Sequence, residues 1–378
     1  MKVAIITSKY PSKKFPYRHM FVHIRVKKMI ELGVDVQVLV CTNKELSYSF
    51  EGVNVHQYNN TSIIKQLSSF DVVYLHLLNL YPLQKADGWP IYQHIMQNKI
   101  PFCMYVHGNE VQKYTARKYE YNYSLKETLK WLKKDLWVIP KMKKFVESAI
   151  LLSYGKFIFP SKWMHQETQR NLDVKIKKPI FIPNGINTDF YSYQDTSQNR
   201  YKLISIRPFS AQVYHIEKTI EVMEHLPKKY TLSLFGQGKY LKVYKKLIKK
   251  KKLSKRVKII EEFLQPKEML EQYRKHGIFI STTRQDSQGL TILEAMSSGL
   301  LGVSTLNTAK PEFITHKETG VLANTPEEIA LHVKNITTEQ IEFNTFTRKA
   351  SHKIQNLRIK DKVSEEIEIL EKVGKRLL

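Results

Sequence analysis

Two carboxylates and a glycine carry the strongest chemical signal in this sequence. Asp286 lies in a polar loop from Thr282 to Gln288, directly after the apolar run Ile278–Ser281. Gly289-Leu290 then opens a helical pattern that ends near Gly299, and Glu294 falls about one and a half turns into it. A strand that delivers a glycine to a helix start is a ready anion site, because free backbone N–H groups and the positive dipole end point outward there. Asp286 and Glu294 would flank the anion from opposite sides, one to hold a ribose diol and the other sugar hydroxyls. Spacing alone favours a plainer reading, a solvated loop Asp and a surface helix Glu. The words around the pair have to decide between them.

The elements that would position this loop are legible as alternation. Short β-branched runs recur at Val3–Ile6, Val36–Val40, Val72–Leu75, Phe102–Val106, Phe157–Phe159 and Phe181–Ile182, and again at Leu203–Ile206, Leu232–Phe235, Val257–Ile260, Ile278–Ser281 and Gly302–Thr305. Between them the helical period shows at Val22, Val26, Met29 and Ile30, at Ile216, Ile220 and Met223, and at Leu241, Tyr244, Leu247 and Ile248. Strand-helix alternation predicts parallel sheets covered on both faces, hence an α/β fold. In such sheets ligands bind in the crevice beyond the carboxyl ends of the strands. The polar, aperiodic stretch Tyr191–Arg200 separates two strand-helix series and is expected to be the linker. The expected organisation is a first domain over 1–190, a linker over 191–200, a second domain over 201–355 and a terminal helix within 356–378, marked by Val363, Ile367, Leu370 and Leu377.

The chain of 378 residues exceeds what one hydrophobic core usually serves, and its 42% hydrophobic content excludes a mostly disordered chain. Cys41 and Cys103 each sit in an apolar run, which suits buried thiols in a reducing compartment better than a disulfide framework. The start Met1–Thr7 reads as a strand and lacks the apolar core of a secretory signal, and no apolar run approaches the ~20 residues of a membrane span. A cytoplasmic location is expected. The net charge of +26 predicts attraction to polyanions, anionic lipid surfaces or phosphorylated ligands, without choosing among them.

The words that decide are Ser281–Thr305, STTRQDSQGLTILEAMSSGLLGVST. They resemble the donor-site signature of family 4 retaining glycosyltransferases, in which two carboxylates flank seven residues and Ala-Met and a glycine follow before the next strand. The resemblance runs along most of the chain. Ile182–Asn187 is similar to the family's interdomain entry, Ile204–Arg207 to the strand that delivers a phosphate-binding arginine, and Phe235–Gly238 to the next strand end. Lys310–Ile314 with Glu318–Val321 is similar to the loop after the signature, Tyr10–Val22 to the first loop, and Val106–Gly108 to the site of a histidine in the first domain. Three positions depart from the pattern: Asp286 stands where Glu is commoner, Gln212 where a lysine is usual five residues after the arginine, and His19 where a first-loop glycine is expected.

This resemblance implies the GT-B fold, two Rossmann-like doubly wound domains facing across a cleft. The second would bind a nucleotide-sugar donor, a UDP-sugar before others, and the first an acceptor. The terminal helix would cross back to the first domain. It implies a retaining transfer in which the leaving diphosphate itself takes the acceptor proton, with no enzyme nucleophile. Charge on the departing phosphate demands cations and backbone donors. Arg207 and the helix start at Gly289 and Leu290 supply them, with Lys218 or Lys310 as candidates for the cation missing at Gln212, so no metal or other cofactor is expected. His107 matches the histidine that contacts the donor sugar, or else merely ends the strand Phe102–Val106. Glu110 binds acceptor or begins a loop. A GT-B epimerase or an inactive relative is an alternative resting on Gln212.

Two basic runs remain. Lys239–Arg256 holds ten Lys/Arg and no acid but keeps an apolar stripe, and reads first as a solvated helix face. Lys126–Lys144 holds seven Lys, two acids, Trp131 and Trp137, with Leu125, Leu129, Leu132 and Leu136 along one side. It is either a helix lying on an anionic membrane surface or a core helix with a basic exterior. Lys130, Trp131, Lys133 and Lys134 in it, with Tyr17, Arg18 and His19 in the first loop, are the candidate acceptor or membrane side. A cell-envelope glycan or a lipid-linked acceptor would reconcile a cytoplasmic enzyme with this charge. A nucleic-acid-binding protein is the competing class, but no recognisable nucleic-acid module appears.

Overall fold

The computed structural model describes residues 1–374 and divides into two units, Met1–Gly185 with Ile359 onward, and Ile186–Arg358. In the first unit, β1 (Lys2–Thr7), α1 (Met20–Glu31), β2 (Asp35–Cys41), β3 (Leu46–Phe50) and β4 (Val53–Tyr58) lead through α2 (Asn60–Ile64) to β5 (Val72–His76). After these come α3 (Trp89–Asn98), β6 (Phe102–Tyr105), α4 (Leu125–Lys133), α5 (Ile139–Leu152), β7 (Gly155–Phe159), α6 (Lys162–Leu172) and β8 (Ile180–Phe181). The sheet order is β3-β4-β2-β1-β5-β6-β7-β8, parallel except for the β3/β4 pair. Strands β1, β5 and β6 are buried almost end to end, which is why they read as unbroken apolar runs. Val3 pairs with Val36 on one side and Val72 on the other, so β1 is central and the connection reverses beside it.

The second unit holds β9 (Lys202–Ile206), α7 (Ile216–Val222), β10 (Thr231–Phe235), α8 (Leu241–Lys250), β11 (Val257–Ile260), α9 (Pro266–Lys275) and β12 (Ile278–Ser281). It continues with α10 (Leu290–Ser297), β13 (Leu301–Ser304), α11 (Lys310–Phe313), β14 (Gly320–Leu322), α12 (Pro326–Thr337) and α13 (Gln340–Ile354). All six strands are parallel, in the order β11-β10-β9-β12-β13-β14. The crossover direction reverses between β9 and β12, the crevice where doubly wound sheets take their ligands.

Helix α14 (Ile359–Gly374) belongs to the first unit. Its Val363 and Leu370 enter the core beside Val3, Val26 and Val72, whereas Leu377 lies outside the described residues. An ion pair fastens it. Arg25 Nε of α1 donates to both Glu366 oxygens at 2.9 and 2.7 Å, Tyr74 Oη donates to Glu366 at 2.8 Å, and Arg25 also reaches Asn184 Oδ1 at 3.0 Å. Both charges are buried, so neither tolerates loss of the other.

The structure corrects the linker expected at 191–200. That segment is part of the second unit, and the division falls at 185/186 and 358/359. Its polar groups are consumed locally: Thr196 donates to Gly299 O at 2.6 Å, Ser297 donates to Tyr191 O at 2.7 Å, and Tyr191, Thr196 and Ser197 are buried. Aperiodic polarity here reflects tethering to the end of α10. The basic run 126–144 is also two helices joined by a π turn over Lys134–Val138. Leu125, Leu129, Leu132 and Leu136 are all exposed, which removes the core-helix reading of that stripe. Both cysteines are free and buried, and burial pushes the Cys41 thiol up to about 12.

Candidate functional site

The second unit assembles its chemistry at the β9/β12 crevice. Gly289 caps α10 at φ 85°, a left-handed conformation glycine adopts without a Cβ penalty. A Cβ there would meet Ile292 Cγ2 at 3.1 Å. Arg207 follows β9 and turns toward this helix start. Its Nε and Nη2 donate to Ser281 Oγ at 3.1 and 3.0 Å, its Nη1 donates to Thr291 Oγ1 at 3.2 Å, and Nη2 lies 4.0 Å from Asp286 Oδ2. Thr291 is in the first turn of α10, so guanidinium and dipole end share one place. Asp286 is anchored by its own loop, accepting from Gln288 N–H at 3.1 Å and donating its N–H to Thr308 Oγ1 at 3.3 Å. Leu290 is the first residue of α10.

Glu294 stands farther along α10, close to Arg207 and to the buried rings of Tyr191 and Tyr273. Burial pushes its carboxyl up to about 8 against the opposing pull of Arg207. Lys310 is placed differently from a free phosphate ligand. Its Nζ donates to Thr283 O, Thr305 Oγ1 and Asn307 Oδ1 at 2.6, 2.6 and 2.7 Å, so it ties the loops after β12 and β13 together. Burial, partly offset by Asp286, brings its ammonium down to about 7. Lys218 donates to Asn324 O at 2.7 Å.

Arg284 is a cation beside this crevice that sequence patterns do not reveal. Its N–H donates to Val213 O at 2.8 Å and its Nε to Gln212 O at 3.2 Å, which brings a guanidinium to the segment lacking the expected lysine. Its charge is also felt by His215, whose imidazole burial brings down to about 4. No local pattern signals this, because Gln212 and Arg284 are 72 positions apart.

In the first unit the candidates gather at the carboxyl ends of β1, β5 and β6. His107 Nε2 is 3.0 Å from His76 Nδ1, and the ring packs on Phe21 and Tyr105 at centroid distances of 4.8 and 4.7 Å. Burial, reinforced by Arg25 and His19, holds His107 well below the ordinary histidine range, so the ring is neutral near pH 7. The His107 backbone N–H donates to Glu110 Oε1 at 2.8 Å. Glu110 is 3% exposed, and burial lifts its carboxyl to about 7. Lys134, also buried, donates to Asn109 O at 2.6 Å and falls to about 8 through the same desolvation.

His19 adopts φ 50° and ψ 40° before α1, the left-handed region that the expected glycine would enter freely. Its Nδ1 lies 3.1 Å from Thr7 Oγ1, a bond that helps to hold the strained turn. Tyr17 and Arg18 are exposed, and Arg18 lies over the Phe15 ring at 3.6 Å. Trp131 is half-buried, donating to Glu127 at 2.9 Å and packing on Tyr121 at 4.7 Å, while Lys130 pairs with Glu127 at 3.2 Å and Lys133 is exposed. The other basic run forms α8, whose buried residues are Tyr244 and Ile248 and whose Lys245 pairs with Glu261, as on a solvated face.

Comparison with known proteins agrees with this architecture. Residues 194–353 match the family model for glycosyl transferases group 1. A probable sucrose-phosphate synthase of Thermosipho melanesiensis is 30% identical over 206 residues, 49% of this chain and 48% of the relative, so the match spans about half the relative's length. Among solved structures, HepE of Anabaena in complex with UDP and glucose aligns over 97% of this chain and 98% of its own, with TM-score 0.70 and 14% identity. Sucrose-phosphate synthase from Thermosynechococcus elongatus aligns over 98% of both chains, with TM-score 0.75 and 14% identity. Residues 194–353 are thus similar to the group 1 glycosyl transferases, and the chain as a whole has the GT-B fold.

Proposed function

We propose that the protein is a retaining, metal-independent glycosyltransferase that moves a hexose or N-acetylhexosamine from a UDP-sugar to a hydroxyl of a cell-envelope glycan or lipid-linked acceptor. One observation carries the reading: the Arg207 guanidinium converges with the first turn of α10 at the β9/β12 crevice, with Asp286 and Glu294 on its flanks. That arrangement fits a diphosphate whose charge grows as the sugar bond breaks. A complex of the structural neighbour HepE with UDP and glucose supports the choice of donor.

In this reading Arg207 and the α10 N–H groups at Gly289 and Leu290 hold the diphosphate. Glu294 accepts from the ribose and Asp286 from the sugar. Arg284 takes the part of the cation missing at Gln212, and Lys310 positions the Asp286 loop. In the first unit, neutral His107 offers a hydrogen bond without competing for the phosphate, and Glu110 serves the acceptor. The exposed leucines of α4 and the π turn, interleaved with Lys126, Lys130 and Lys133, suit insertion at an anionic lipid surface, peripheral on the inner face of a membrane. No helix among the described residues is long and apolar enough to cross one.

The test is turnover of a panel of UDP-hexoses and UDP-N-acetylhexosamines with soluble and lipid-linked acceptors, followed by NMR of the product. An α-linked product from an α-donor, formed equally in EDTA, is expected. A β-linked product, an EDTA-sensitive rate, or epimerised donor alone would refute it. Sedimentation with anionic vesicles should be lost on Leu129→Ser/Leu132→Ser, and unchanged sedimentation would refute the membrane part.

A further inference from the structure

His76 is a buried titratable side chain that the proposed transfer does not use. It ends β5 and lies opposite Tyr105 of β6 in the parallel register. Side chains two apart on an extended strand share a face, so the chain running on from Tyr105 returns His107 to the same side of the sheet. The result is a pair of imidazoles, with His76 Nδ1 3.0 Å from His107 Nε2 and ring centroids 5.3 Å apart. His76 is fully buried against the rings of Tyr74 and Tyr105, at centroid distances of 4.2 and 5.9 Å. His107 is only partly buried.

We propose that His76 is a positioning residue whose Nδ1–H donates to His107 Nε2 and so keeps the His107 proton on Nδ1, the nitrogen left to meet the donor sugar. The proposal rests on the glycosyltransferase reading and names the group that sets how His107 bonds the sugar.

Counting protons gives the direction of this bond. A 3.0 Å contact between two ring nitrogens needs one hydrogen between them. Burial, reinforced by Arg25, holds both rings well below the ordinary histidine range, so each is neutral near pH 7 and carries a single N–H. If the shared hydrogen belonged to His107 Nε2, the proton of His76 would have to sit on its own Nε2. That atom is buried without a hydrogen-bond partner, and an orphaned buried N–H is rare and costly. With the hydrogen on His76 Nδ1, Nε2 is instead a bare lone pair. The Arg25 cation is the strongest charge acting on both imidazoles, and it favours a lone pair over a further N–H. The proton of His107 then stands on Nδ1, which has no hydrogen-bond partner among the described residues and can donate to a sugar oxygen. The bond made by one ring nitrogen thus sets what the other offers.

Nitrogen NMR of the histidine side chains in the full, isotopically labelled chain reads this tautomer, with His76→Asn and His107→Phe spectra for assignment. His107 should show a protonated Nδ1 and an unprotonated, hydrogen-bonded Nε2, and His76 a protonated Nδ1 and a bare Nε2. A protonated Nε2 on either ring overturns the proposal, whether or not any variant folds. His76→Phe removes the donor and should move the His107 proton off Nδ1, whereas His76→Asn, whose amide nitrogen reaches the place of Nδ1, should restore it. In turnover of UDP-sugars, His76→Phe should lower kcat/KM about tenfold, the loss of one correctly placed hydrogen bond, and His76→Asn should recover most of it. The Kd for UDP, which lacks the transferred sugar, should be unchanged in both. A His107 pattern unaltered by His76→Phe, or equal losses of rate in the Phe and Asn variants, would mark a merely structural side chain and overturn the proposal. Failure of the unaltered chain to turn over any UDP-sugar would instead refute the glycosyltransferase reading, and the NMR pattern would still test the His76–His107 bond by itself.

Discussion

Glu294 gives the proposed donor site a pH signature. Burial holds its carboxyl at about 8, above the ordinary glutamate value of 4.5. A ribose hydroxyl donates more strongly to a carboxylate than to a carboxylic acid, so donor binding draws the proton off. Below pH ~8 the affinity should therefore fall by up to about tenfold per pH unit. At pH 7 close to one proton should be released for each UDP-glucose bound, a ligand whose diphosphate does not itself titrate there. Calorimetry in two buffers of different ionisation enthalpy reads that number directly. Glu294→Gln should release none, should flatten the pH profile, and should bind about 10- to 150-fold more weakly at pH 8, the equivalent of a charge-assisted hydrogen bond worth ~1.5–3 kcal/mol. Unaltered protein that releases no proton, or a Glu294→Gln variant with the same pH slope, would refute the reasoning. The same shift has a sign for folding: the stability it contributes is full below pH 4.5 and is lost as pH rises through about 8.

Glu366→Ala leaves Arg25 buried and unpaired and should lower stability by about 3–5 kcal/mol in urea unfolding of the first unit, with Arg25→Met/Glu366→Leu recovering most of it. Lys310→Met strips the partner from three acceptors; a loss of about 1–3 kcal/mol and faster hydrogen exchange across residues 283–307 are expected. Arg284→Gln should reduce kcat/KM for UDP-sugar transfer by about 10²- to 10³-fold without unfolding the protein, as loss of one donor at developing charge does. An unchanged rate would return the role to another cation.

What is local or repetitive in this protein is legible in its sequence. Eleven strands are readable as short apolar runs, most plainly β1, β5, β6 and β12, which are buried almost end to end. β3 and β4 are not: β3 is largely exposed, with Leu46 at the surface, and carries Ser at alternate positions, so it lacks the apolar density of its neighbours. β14 spans three residues, too few for any period. Gly289 is legible as a glycine between strand and helix, and its positive φ gives the reason. The 191–200 segment reads wrongly as a linker because its hydrogen bonds to Gly299 and Ser297 span about a hundred positions. The same holds for Arg284 and Gln212, which are 72 positions apart.

The most direct test of the account is UDP binding by Arg207→Gln. The guanidinium and the start of α10 meet at one point, so the unaltered chain should bind UDP at one site, and Arg207→Gln should bind it about 10- to 150-fold more weakly with its thermal stability preserved. Equal affinity in the two proteins, or no UDP binding by the unaltered chain, would contradict it.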